Sequence, residues 1–125
     1  MSTDPASRAR IEAERVLVEV LTLEGCPHAA PAIELASRVA AEARIRAEVR
    51  IVKVAQSEAE PLRFLGSPSI RVRGHDVEPG ADARHDYSHS CRLYETSAGL
   101  RPLPDEAWLR DALTADWSSH LTVDI

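Results

Sequence analysis

Between residues 16 and 54 the hydrophobic period changes twice. "VLVEVLTLE" runs apolar and β-branched from Val16 to Leu23 and reads as a buried strand ended by Gly25. From Pro27 onward Ala30, Ile33, Leu35, Ala36, Val39, Ala40 and Ala43 recur at helical spacing. They predict a helix of about four turns, with Pro27 in the first turn, where a missing N–H costs nothing. Pro31, a turn further in, is expected to remove a backbone bond and bend the axis. "AEVRIVKVA" then alternates again, placing Val49, Ile51 and Lys53 on one face and Arg50, Val52 and Val54 on the other. Strands interleaved with helical segments put the chain in the α/β class.

The remainder extends this order. "SEAEPLRFL" reads as a short helix with Ser57 as N-cap, Glu60 three residues on and Gly66 closing it. "PSIRVRG" is a third strand, entered through a proline and turned by Gly74. Residues 75–90 form a turn-rich loop with Pro79-Gly80 as a turn, and "CRLYET" follows as a strand. "PDEAWLRDALTA" is an amphipathic helix, with Pro104 at its start and Trp108, Leu109, Ala112 and Leu113 facing inward. Phe64 and Trp108 are expected in the core. At 125 residues the chain has the length of one domain. We place that domain at residues 15–116, after a loosely helical or poorly ordered leader (1–14) and before a tail (117–125).

Hydrophobic residues make up 44% and charged residues 28%, as in soluble globular domains. A net charge of −5 gives no broad attraction to nucleic acid or an anionic membrane, so neither is an expected partner. The N-terminal stretch lacks a signal-peptide core and no apolar run reaches the roughly 18 residues of a membrane span. A cytoplasmic location is therefore expected, where two cysteines are more often free, catalytic or metal-binding than a permanent disulfide.

"GCPHA" holds the chemistry that local sequence can specify. Cys26 falls at the start of a helix, where unpaired N–H groups and the helix dipole favour the thiolate. His28 can add positive charge or donate a hydrogen bond to sulfur. Ala29 stands where a dithiol site needs its second cysteine, so no disulfide can close within the CPHA motif. Three fates remain open for the thiolate: a mixed disulfide resolved by an external thiol, pairing with Cys91, or binding of a soft metal with Cys91 as second ligand. The plainer alternatives are buried structural cysteines at 26 and 91, and a solvent-facing His28. His85 and His89 lie in the loop before Cys91, but no close-spaced ligand pair marks a metal site, and no cofactor is implied. Asp82, Asp86 and Tyr87 are candidates for the lining of a groove.

The strand and helix order, with a cysteine at the first strand-to-helix junction and Gly66-Ser67-Pro68-Ser69-Ile70 entering the third strand, resembles the thioredoxin fold. The resemblance spans roughly residues 16 to 115. It implies a central mixed four-stranded sheet flanked by helices, and a cis-Pro68 that faces Cys26 across a groove. The "EGCP", "FLGSP" and "DVEPGAD...CRLY" segments are similar to small thioredoxin-like proteins found alone or joined to alkylmercury-lyase-like chains. The tetrapeptide at Cys26 also resembles the CPHC of disulfide oxidases, without its resolving thiol.

The resemblance implies thiol–disulfide exchange: Cys26 attacks a disulfide, His28 assists, Pro27, Ser67 and Pro68 contact the substrate, and the Ser67 backbone aligns a substrate chain. Cys91, at a strand beside the cis-proline, or an external thiol then resolves the adduct. The partner is a thiol or disulfide substrate or another protein. The alternative is a binding module without turnover, which holds mercury, a related soft metal or a partner protein through Cys26 and Cys91. A third role, assisting an organometal enzyme in trans, rests on the resemblance alone.

Overall fold

β1 (Val16–Thr22) is the pivot of the architecture, because it has a strand on one side running with it and a strand on the other running against it. In the computed structural model, which describes residues 15–115, β2 (Ala47–Lys53) pairs parallel to it and sets Val49 opposite Val18. β3 (Ser69–Val72) pairs antiparallel on the far side, with Ile70 opposite Val20 and Val72 opposite Val18. β4 (His75–Asp76) completes a mixed sheet of order β2-β1-β3-β4. The β3–β4 connection is a two-residue turn in which Arg73 and Gly74 both have positive φ (53° and 85°), the conformation that matches the twist of a tight hairpin. The expected α/β class and mixed four-stranded sheet are therefore present. The leader and tail assigned to residues 1–14 and 117–125 lie outside the described residues.

Both helices cover one face of the sheet. α1 (Ala29–Glu42) presents Ala32, Leu35, Ala36, Val39 and Ala40, spaced as one helical stripe, onto Val16, Val18 and Val20 of β1. α2 (Glu106–Thr114) brings Leu109 and Leu113 against the same cluster beside Ile70 and Val72. Val18, Val20, Val39, Ile70 and Leu109 are wholly buried, and each such side chain contributes about 1.5–3 kcal/mol relative to exposure. Among the described residues the opposite face is closed at one end, where Leu21, Val54 and Phe64 form a second, smaller cluster. No helix among the described residues is long and apolar enough to cross a membrane.

Several expected boundaries move, each for a local reason. Cys26 N–H donates to Leu23 O (3.2 Å) and Ala29 N–H to Cys26 O (3.3 Å), so a turn occupies Cys26–His28 and the helix starts at Ala29 rather than Pro27. That shift puts Pro31 third in the helix, among the N–H groups that have no intrahelical acceptor, where it breaks nothing. It also leaves Ala30 exposed and buries Ala32. Past α1, Arg44 takes a left-handed φ of 58° while its N–H donates to Ala41 O and that of Ile45 to Ala40 O, a C-terminal cap built without glycine.

The helix expected from Ser57 is a single 3₁₀ turn, Gln56–Glu58, followed by turns. Glu58, not Glu60, reaches back to accept from Ala55 N–H (2.8 Å), and Arg63 at φ 53°, not Gly66, closes the segment. Ile51 is 56% exposed despite its apolar register, because β2 is the edge strand. The "CRLYET" strand does not join the sheet edge: β5 (Tyr94–Thr96) pairs with β6 (Gly99–Arg101) in a separate hairpin.

Asp105, not Pro104, caps α2. Its carboxylate accepts from Ala107 N–H (3.1 Å) and from both the N–H and the hydroxyl of Ser97 in the β5–β6 turn (3.1 and 2.8 Å), joining helix and hairpin. The Ser97 and Ala107 N–H groups and the Ser97 hydroxyl hold this carboxyl below its usual range. A depressed folded-state value gives stability that is present above the unfolded value and lost as pH falls through the folded one. Asp105→Asn is therefore expected to lower the melting temperature by a few degrees at pH 7, and the gap to the parent should shrink as pH is lowered through the carboxylate range. Thermal melts at neutral and acid pH check this, and a gap constant with pH would exclude an ionised cap.

Candidate functional site

The elements converge on the loop that leads into β3. The Ser67–Pro68 peptide is cis, and Ser67, Pro68 and Ser69 are all buried. Ser67 Oγ accepts from Leu23 N–H at 3.0 Å, and Leu23 O in turn accepts from Cys26 N–H. Two hydrogen bonds therefore tie the proline loop to the turn that carries the thiol of Cys26. Cys26 is partly exposed and carries no disulfide. Pro27 is exposed beside it, and His28 occupies the N-cap position of α1 without making a side-chain capping bond.

The far side of the same loop is occupied by the protein's own chain. Ser67 N–H donates to Ser90 O (2.8 Å), and Arg92 N–H donates to Ser67 O (2.9 Å), so residues 90–92 lie alongside Ser67 as a parallel bridge centred on Cys91. This corrects two expectations. The Ser67 backbone is not open to align a substrate chain, since both its groups are bonded, and Cys91 precedes a separate hairpin instead of starting a strand of the sheet. Cys91 is nevertheless held beside the proline loop, exposed and unpaired.

Arg92 anchors this strap. It is 3% exposed, and its Nη1 donates to Asp76 Oδ2 and Ser69 Oγ (2.7 Å each) while Nη2 donates to Asp76 Oδ1 (3.1 Å) and Glu78 Oε1 (2.7 Å). Burial works against its positive charge. The bond to Asp76, the charge interactions with Tyr94 and Asp76, and the bond to Glu78 outweigh it and drive the guanidinium's pKa above its already high ordinary value. The guanidinium also sits 4.2 Å over the Tyr94 ring, and the Tyr94 hydroxyl donates to Pro68 O at 2.6 Å. Burial, ahead of every other influence, pushes that phenol well above its usual range, so it remains a donor at any physiological pH. Glu78 is shared with Arg84, which also grips Asp86 and holds that carboxyl down to about 2.

The other candidate residues lie elsewhere. His89 Nε2 pairs with Val54 O (2.8 Å), which fastens the loop to the end of β2. His85 and Tyr87 are ring neighbours, 6.1 Å apart and tilted. Asp82 faces His75 at 3.6 Å. No group of three or more His, Cys, Asp or Glu side chains able to hold a metal occurs among the described residues. Phe64 is fully buried, and Trp108 is half-buried against the main core, 6.3 Å from Tyr94.

The parts that Arg92, Tyr94 and Gly66 play in holding this loop are what local sequence reading misses. The signal for the first two is the alternation in "CRLY": period 2 must bury either Cys91 and Leu93 or Arg92 and Tyr94, and hydropathy points to the wrong pair. Comparison with protein-family models, with curated proteins and with solved structures found no match.

Proposed function

We propose that the chain is a thioredoxin-like thiol protein in which Cys26 performs monothiol exchange with a small disulfide. The observation that carries this reading is the Leu23 N–H to Ser67 Oγ bond, which clasps the cysteine turn to the cis-proline loop across the end of the sheet. The element order around a mixed sheet supports the same resemblance. In the proposed step the Cys26 thiolate attacks one sulfur of R–S–S–R′, forming Cys26–S–S–R and releasing R′–S⁻. A second thiol, R″–SH, attacks the R sulfur as its thiolate, giving R″–S–S–R and regenerating the Cys26 thiolate, with its proton passing to solvent. Ala29 cannot take that second role.

Because residues 90–92 already fill both backbone groups of Ser67, an extended peptide has no unpaired strand edge there, which favours a low-molecular-weight disulfide over a protein chain. Cys91 is the internal candidate for resolution and releases the R thiol if it attacks Cys26.

The test is exchange of the reduced protein with a small disulfide such as bis(2-hydroxyethyl) disulfide, followed by mass spectrometry of the trapped adduct. Cys26→Ser is expected to lower the exchange rate by at least about a hundredfold, and Cys91→Ser to leave the first adduct intact. A Cys26→Ser protein that exchanges as fast as its parent would sink the reading.

A further inference from the structure

On the face of the sheet that the helices leave uncovered, a cavity of about 430 Å³ lies between the 61–65 turn, the β3–β4 hairpin and the loop around residues 81–87. Its charges are unevenly satisfied. The Asp76 carboxylate points to Arg92 behind the wall, Asp82 faces His75, and Arg84 is held between Glu78 and Asp86. Neither Arg63 nor Arg71 has an ion-pair partner among the described residues. Glu19, which is opposite Arg71 in the β1–β3 register, does not come within ion-pairing distance.

Arg71 is nevertheless fixed: its Nη2 donates to the carbonyls of Leu62 and Arg63 (2.5 and 3.0 Å), which end the turn, while Nε and Nη1 have no acceptor in the described residues. A guanidinium locked through one nitrogen at the wall of a concavity, with the rest of its donor fork unengaged among the described residues, is prepared to take an oxyanion in bidentate geometry. Leu62, Leu65, Ala81 and the Tyr87 ring give the same cavity apolar walls.

We infer that this cavity is a binding site for a small organic anion, a carboxylate or phosphate head on an apolar body. Arg71 and Arg63 take the head, and Leu62 and Tyr87 cover the body. The site is on the back of the sheet, separate from the Cys26 turn, and does not depend on the thiol reading.

Calorimetric titration of the full chain with benzoate, phenyl phosphate, inorganic phosphate and benzyl alcohol tests it, with the Arg Nε–Hε and Tyr87 signals followed by nuclear magnetic resonance. Saturable binding of benzoate or phenyl phosphate at millimolar concentrations or below, shifting Arg71 and Tyr87, is the expected result, and the tighter of the two identifies the head group. Arg63→Gln should weaken that binding by about tenfold. Arg63 is exposed and makes no side-chain bond among the described residues, so this variant keeps the fold, and its melting curve verifies that. The inference is overturned if neither aromatic anion saturates, if benzyl alcohol binds equally well, if inorganic phosphate matches phenyl phosphate, or if Arg63→Gln binds as tightly as the parent.

Discussion

Arg92→Met is expected to lower the unfolding free energy by about 3–5 kcal/mol, the cost of removing one partner from a buried ion pair. The size follows from what is left behind. Arg92 supplies four donors to Asp76, Glu78 and Ser69, and the side chain is nearly inaccessible to water. Without it the bonded donor left to Asp76 among the described residues is the Glu78 N–H (3.0 Å), whereas Glu78 keeps Arg84. Most of the loss therefore comes from the unpaired Asp76 charge, and less of it from the missing arginine contacts. Asp76→Asn added to Arg92→Met should recover part of the loss, and that recovery separates a charge penalty from a packing penalty. Arg92→Lys should recover less than half, since one ammonium cannot reach acceptors arranged around a planar fork, and the cation over the Tyr94 ring is displaced. Urea denaturation at pH 7 checks all three, and a loss below about 1 kcal/mol for Arg92→Met would show that the pair only balances its own desolvation.

The contrast between Arg92 and its neighbours explains how far sequence carries. β1, α1 and β3 were legible because burial on both faces of β1 and on one stripe of α1 leaves a period that nothing else produces. The shared face of Val49 and Ile51 was legible, but the exposure of Ile51 was not, because exposure depends on which strand is at the edge, and pairing order is not a local property. The start of α1 was displaced because the choice between Pro27 and Pro31 as the first-turn proline is made by the Cys26 turn, whose bonds join Leu23 and Ala29. Alternation in "CRLY" showed that two faces exist. Which one is inside was decided by Asp76 and Glu78, fifteen residues or so upstream, which make an arginine cheaper to bury than a leucine. Cys26 was legible as a residue at a strand–helix junction. The strap that closes Ser67 was not, because backbone pairing at an isolated bridge leaves no periodic trace.

The same strap makes Gly66 the most restrictive backbone position at the site. Its φ of 123° lies in a region that side chains rarely enter, and a Cβ placed there would be 2.8 Å from Arg92 Cβ and 3.2 Å from both Arg92 Cα and Ser90 O. Two of those three neighbours are backbone atoms, and they cannot retreat freely. Ser90 O and Arg92 N–H are bonded to Ser67, and the Arg92 side chain is anchored in the ion pairs. Gly66→Ala thus carries a conformational cost of about 1–3 kcal/mol and a crowding cost of similar size, together about 2–6 kcal/mol. Gly74→Ala isolates the first of these: its φ of 85° is also positive, but an added Cβ meets nothing within 4 Å, so about 1–2 kcal/mol is expected. In the Gly66 variant the relief must come from movement of residues 90–92, which displaces Cys91. Its alkylation rate in the folded protein should therefore change, while in Gly74→Ala it should not. Equal destabilisation by the two substitutions, with the same Cys91 rate as the parent, would mean that the close approach of Gly66 to Arg92 does not hold the strap in place.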